Sequence, residues 1–260
     1  MSLRNACGVV LIVLALAACS AGGGSVGSTK RQRDINDPKQ QAAELQVKLG
    51  QEYMARGQLE TALDKLKRAI QIDPGSVDGN TVIAVLYERI NRPKLAEAHY
   101  RRAVELDSEG GSTNNNLGAF LCRSGRFPEA EKYFQRAVDD PFYKTPGSAL
   151  SNAGVCALRA GLADAAEKYF RRALEFDAAE AGALYELALI SFEKKQFLSA
   201  RAFIQRFEAV ASPEPMALEF AARVEEQLGD TAAAAKYRAR LKTEFPDYEP
   251  GTVTGETNSP

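Results

Sequence analysis

Residues Ala43 to Ser76 read AELQVKLGQEYMARGQLETALDKLKRAIQIDPGS, and they decide the fold because the chain repeats them. With Ala43 as position 1, Leu49 and Gly50 stand at 7 and 8, Tyr53 at 11, Gly57 at 15, Ala62 at 20, Leu66 at 24, Ala69 at 27 and Pro74 at 32. The period is 34 residues, and self-similarity at such a period marks a repeat architecture. A second unit from Val77 supplies Ile83, Ala84, Tyr87, Ala96, Tyr100 and Ala103; a third from Gly111 supplies Leu117, Gly118, Leu121, Gly125, Ala130, Phe134 and Ala137. Two extra residues around Thr145-Pro146 break the register. A fourth unit then runs from Gly147 with Gly154, Gly161, Ala166, Phe170 and Ala173, and a fifth from Ala181 carries Phe207 where a small residue is usual. The sixth, from Pro215, has Glu225 at position 11 and Arg238 at position 24, polar residues that fit a terminal cap.

Each recurring type has a steric role. Gly or Ala at position 8 and Ala at 20 let two antiparallel helices approach closely, while Leu, Tyr or Phe at 7, 11 and 24 fill the remaining space. Gly at 15 ends the first helix, and Pro near 32 stops the second. The pattern strongly resembles the tetratricopeptide repeat (TPR). The resemblance implies an all-α fold, a right-handed superhelical solenoid of six TPR helix-turn-helix repeats over residues 39–248, in which stacking buries the apolar faces in one continuous core. The polar segment 249–260 has nothing to pack with and is expected to be disordered.

The segment 6–18 is uncharged and mostly apolar, follows Arg4, and is too short to span a bilayer as a helix. It reads as the core of a signal peptide, 1–18. Leu16-Ala17-Ala18-Cys19 closes it and resembles the bacterial lipobox, which implies lipidation of Cys19 as the first mature residue and, with Ser20 next, sorting to the outer membrane. Residues 19–38, rich in Gly and Ser and then polar, are a flexible lipidated tether with an r.m.s. reach of roughly 25 Å. The expected location is lipid-anchored at the outer membrane, facing the periplasm.

Composition narrows the chemistry. The 33 basic and 34 acidic side chains nearly cancel, so nothing draws the chain to nucleic acid. One histidine, His99, and four cysteines are too few for a conventional zinc cluster, and no cofactor motif occurs. His99, flanked by Ala98 and the packing residue Tyr100, reads as a helix-surface or interface residue, and an enzyme is not expected. A solenoid offers a concave surface instead, and helical spacing places positions 2, 5, 6, 9, 12 and 13 of each first helix on it. The candidate protein-binding residues are Val47, Gln51 and Met54, then Arg89, Arg123 and Arg159 as a basic row at position 13. Asn116 and Asn152 at position 6 could hydrogen-bond a peptide backbone. Cys122 and Cys156 fall on first helices of neighbouring units, either bridged or as two buried thiols.

Lipobox, tether and six repeats together are similar to the PilF/PilW family of type IV pilus lipoproteins. That resemblance implies a pilotin, which binds the secretin subunit of the pilus system and assists its outer-membrane localisation and multimerisation. The alternative is another periplasm-facing TPR lipoprotein, a scaffold for cell-wall enzymes or outer-membrane protein assembly.

Overall fold

The computed structural model describes residues 37–212 and 214–249. The expected signal peptide, Cys19, nearly all of the tether, Pro213 and residues 250–260 lie outside the described residues. Twelve helices follow one another, and no strand occurs among the described residues: α1 (Pro38–Ala55), α2 (Leu59–Ile72), α3 (Val77–Arg89), α4 (Pro93–Leu106), α5 (Gly111–Arg123), α6 (Phe127–Asp139), α7 (Pro146–Arg159), α8 (Ala163–Phe176), α9 (Ala181–Glu193), α10 (Phe197–Val210), α11 (Pro215–Gln227) and α12 (Thr231–Glu244). They pair as six helix-turn-helix units.

Helix ends follow local chemistry. Asp37 caps α1 by accepting from the Lys39 amide, and Pro38 opens the helix, one residue inside the expected tether. Ser76 caps α3 and Asp230 caps α12 in the same way. Position 15 turns the chain with a positive φ in every unit: Gly57, Gly125, Gly161 and Gly229 adopt it at no steric cost, whereas Asn91 and Lys195 adopt it as non-glycine residues. Between units, Asp73, Asp140 and Asp177 each accept from the amide two residues on, closing the turn with a side chain.

Close approach within each unit comes from position 8. A Cβ on Gly50 would lie 2.6 Å from Leu66, and one on Gly154 2.6 Å from Phe170, so these helix pairs require glycine there. Leu66, Phe170, Ala62 and Ala166 are completely buried. The core resolves into three clusters joined through shared side chains, Tyr169 between the first and second, Leu174 and Phe203 between the second and third. Phe207, the bulky exception in unit five, is absorbed by aromatic neighbours: its ring lies 5.2 Å from Tyr185, which also meets Phe220.

Stacking sets the curvature. First helices touch first helices of the next unit (α1 with α3, α3 with α5, α5 with α7, α7 with α9), and each second helix packs on the next first helix. Consecutive second helices make no comparable contact among the described residues. The first helices therefore form the inner layer, and their free faces make the concave surface.

Candidate concave binding surface

Exposure divides each first helix more finely than the sequence does. Positions 2, 6, 9 and 13 face open space in unit one, where Glu44, Lys48, Gln51 and Ala55 are exposed, and positions 5 and 12 do not. Val47 and Met54 were expected on the binding face. They instead belong to the core, at 5% and 9% exposure. The reason is the layer of first helices: positions 5 and 12 sit on the side of the helix that meets the first helix of the next unit.

The basic row is likewise largely committed to stacking. Arg89 donates to the Met54 carbonyl at 2.8 Å, satisfying a carbonyl at the end of α1. Arg123 grips Glu88 with two hydrogen bonds, 3.0 and 2.8 Å, and the Tyr100 hydroxyl donates to the same carboxylate. Burial and that carboxylate push the Tyr100 hydroxyl well above the ordinary tyrosine range. Arg159 is exposed and has no ion-pair or hydrogen-bond partner among the described residues. Asn152 donates to the Asn115 side chain at 3.0 Å, and Asn116 is half-buried beside it in register.

What remains open is a mixed stripe. Position 9 supplies Gln51, Val85, Ala119, Val155 and Leu189, an apolar ladder through units two to five in which Val85 is exposed and Ala119, Val155 and Leu189 are half-buried against the core. Position 6 runs Val82, Asn116, Asn152, Glu186 beside it, and burial raises the Glu186 carboxyl above the usual range. Apolar rungs flanked by amides on one side and Arg159 on the other suit an extended or amphipathic peptide.

Cys122 and Cys156 are joined by a disulfide with Cα atoms 5.6 Å apart, linking α5 to α7 across the junction that carries the insertion. Closing a separation of 34 residues lowers the entropy of the unfolded chain by about 4 kcal/mol in the chain-entropy treatment. Thiol labelling of the denatured, unreduced protein is expected to leave both cysteines unmodified; two reactive thiols there contradict the bridge.

His99 is half-buried, its Nδ1 2.9 Å from Asn80 Oδ1 and its ring stacked on Tyr87 at 5.5 Å. Asn80 uses its amide nitrogen on the Ser76 carbonyl, so its oxygen accepts and Nδ1 carries the proton. Burial lowers the imidazole's affinity for a second proton. No group of three or more His, Cys, Asp or Glu side chains among the described residues is placed to hold a metal, and no helix among them is long and apolar enough to cross a membrane.

Glu225, which its type and place suggest as a polar cap residue, is instead buried at 3% exposure and paired with Arg201 of the preceding unit, which also reaches Asp230 at 3.7 Å. A signal for it exists: Arg201 stands at position 21, where units two to four carry Glu97, Glu131 and Glu167.

Tetratricopeptide-repeat family models match residues 121–181, 50–91 and 77–109. The chain is 28% identical over 239 residues to the type IV pilus assembly protein PilF of Pseudomonas aeruginosa, covering 92% of each. The solved structure of Pseudomonas aeruginosa PilF superposes with a TM-score of 0.72 at 28% identity, over 81% of this chain and 95% of that one. The structure of PilW, a type IV pilus biogenesis factor, gives 0.71 at 29% identity, over 80% and 96%. Fold and end-to-end similarity agree: the chain is a PilF/PilW-like tetratricopeptide-repeat protein.

Proposed function

We propose that the protein serves type IV pilus biogenesis as a pilotin, a lipoprotein held at the outer membrane through Cys19, binding the pilus secretin and assisting its localisation and multimerisation. The observation that carries this reading is the similarity to PilF across 92% of both chains. The surface described above supports it physically. An inner layer of helices displays Val85 on its open face, with the half-buried Ala119, Val155 and Leu189 continuing the same row and the side-chain amides of Asn116 and Asn152 alongside. Such a surface binds a segment of another protein and needs no cofactor, so the protein acts as a scaffold and not as a catalyst.

Affinity purification from membranes, read by mass spectrometry, is expected to recover the secretin; recovery of cell-wall enzymes or barrel-assembly proteins without it favours the other scaffold role. Cys19→Ala is expected to leave the helical domain folded while shifting the protein out of the outer-membrane fraction. An unchanged fraction removes the anchor from the account.

A further inference from the structure

We propose that a cleft beside unit four docks a partner peptide, which seats one large apolar side chain there and sets a neighbouring arginine against Glu131. The cleft arises from missing side chains. Unit four alone carries alanine at positions 7, 11 and 14 together, as Ala153, Ala157 and Ala160. Its neighbours have Leu117 or Leu187 at position 7, and Tyr53, Tyr87 and Leu121 fill position 11 in the first three units. These truncations leave an open space of about 220 Å³ between α6 on one side and α7 and α8 on the other. Phe127, Phe134 and Tyr169 wall it, and Leu162, which also lines it, is 58% exposed. Asn116, Asn152 and Val155 of the concave stripe take no part in the lining, so this is a second surface.

Volume decides the class of occupant. An apolar cavity of about 150 Å³ admits a benzene ring, and sites for drug-sized molecules start at about 300 Å³. A space of 220 Å³ fits a single Phe, Leu or Met side chain. Charge decides its neighbour, and Glu131 is the one charged residue lining the cleft. Units two, three and four each carry glutamate at position 21, as Glu97, Glu131 and Glu167. Glu97 is held by Arg101, one turn on in its own helix, and by Arg126 at position 16 of the next unit. Glu167 is held by Arg171, again one turn on, and by Lys194 at position 14 of the next unit. Glu131 has neither kind of partner. One turn on stands Gln135, which donates to Asp139, and positions 14 and 16 of unit four are Ala160 and Leu162. The exposed Glu131 carboxylate accepts from the Tyr169 hydroxyl and forms no ion pair among the described residues. Arg172 is close enough to act on that hydroxyl but makes no ion pair with the carboxylate. The residues that open the cleft thus also deprive its acid of a cation, and an incoming arginine would stand toward Glu131 as Arg126 stands toward Glu97.

The test uses the full chain in zwitterionic lipid nanodiscs, with methyl-labelled Ala and Leu, titrated with the capped tetrapeptides Gly-Phe-Arg-Gly and Gly-Phe-Asp-Gly. The Arg peptide is expected to shift the methyl resonances of Ala153, Ala157 and Leu162 and to bind at least about threefold more tightly than the Asp peptide, the scale of an exposed ion pair. Glu131→Gln keeps the shape of the cleft and should remove that preference while both peptides still shift the alanine methyls. Leu162→Arg supplies the arginine that unit three carries at position 16; it should compete for Glu131 and weaken the Arg peptide at least about threefold. Both replaced side chains are exposed, so the fold is expected to hold, and circular dichroism melts verify it. Absent shifts, equal binding of the two peptides, a preference that survives Glu131→Gln, or undiminished binding to Leu162→Arg overturns the proposal. No secretin enters this experiment, so its outcome is independent of whether the pilotin reading holds.

Discussion

Leu66→Asp is expected to unfold the first repeat and to lower the melting temperature of the whole array. Leu66 is completely buried and fits under Gly50. Losing the leucine forfeits about 2–3 kcal/mol of apolar burial, and an unpaired buried carboxylate adds several more. Their sum is comparable with the roughly 5–15 kcal/mol that stabilises a typical domain. Each unit buries its apolar face against its neighbours, so damage at unit one exposes the α3 surface of unit two. Leu45→Asp is the control: Leu45 is 55% exposed, and the same change there should move stability by no more than about 0.5 kcal/mol. Circular dichroism melts of the two variants check this, and equal melting temperatures contradict the assigned packing. Val47→Asp belongs with Leu66→Asp, because Val47 is a core residue.

Arg201→Ala is expected to cost about 3–5 kcal/mol, far more than loss of a surface ion pair. Glu225 sits in the last turn of α11, almost wholly buried, and Arg201 supplies its charge partner from the preceding unit. Removing the arginine strands a carboxylate that is 3% exposed. Replacing both residues with Met should restore most of the loss, since a buried ion pair and a well-packed apolar pair are often nearly equivalent. Arg102 pairs with Glu105 on an exposed helix face, and its replacement by Ala should cost about 0–1 kcal/mol. Urea denaturation of the variants decides the matter; an Arg201→Ala cost no larger than that of Arg102→Ala would remove the pair from the stability account.

The architecture was legible because the 34-residue period writes it several times over. Glycine or alanine at position 8 and Leu, Tyr or Phe at 24 specify a helix pair whatever surrounds them, and the structure places those residues in contact at Gly50–Leu66, Gly118–Phe134 and Gly154–Phe170. The binding face was legible only in outline. Helical periodicity locates a stripe about one hundred degrees wide, but which edge of it is covered depends on how the next unit stacks, and no single unit carries that information. Val47 and Met54 fell on the covered edge for that reason. The arginines at 89 and 123 present the same problem: spacing gives their side of the helix, and only the stacked neighbour reveals that the Met54 carbonyl and Glu88 take them up. The unit-four cleft left a trace in the sequence as three alanines and an apolar turn residue, but a missing side chain becomes a cavity only once the walls that fail to close over it are known.

As proposed, the protein engages the secretin through its concave surface. The most direct test is the affinity of purified secretin for the wild-type protein and for the variant Val85→Glu, with circular dichroism on both. Val85 stands at position 9 on the open face, 41% exposed and outside the core clusters. The account predicts unchanged helicity and a loss of affinity of at least about tenfold, as expected when charges enter the apolar centre of an interface. Undiminished binding by the correctly folded variant would contradict it.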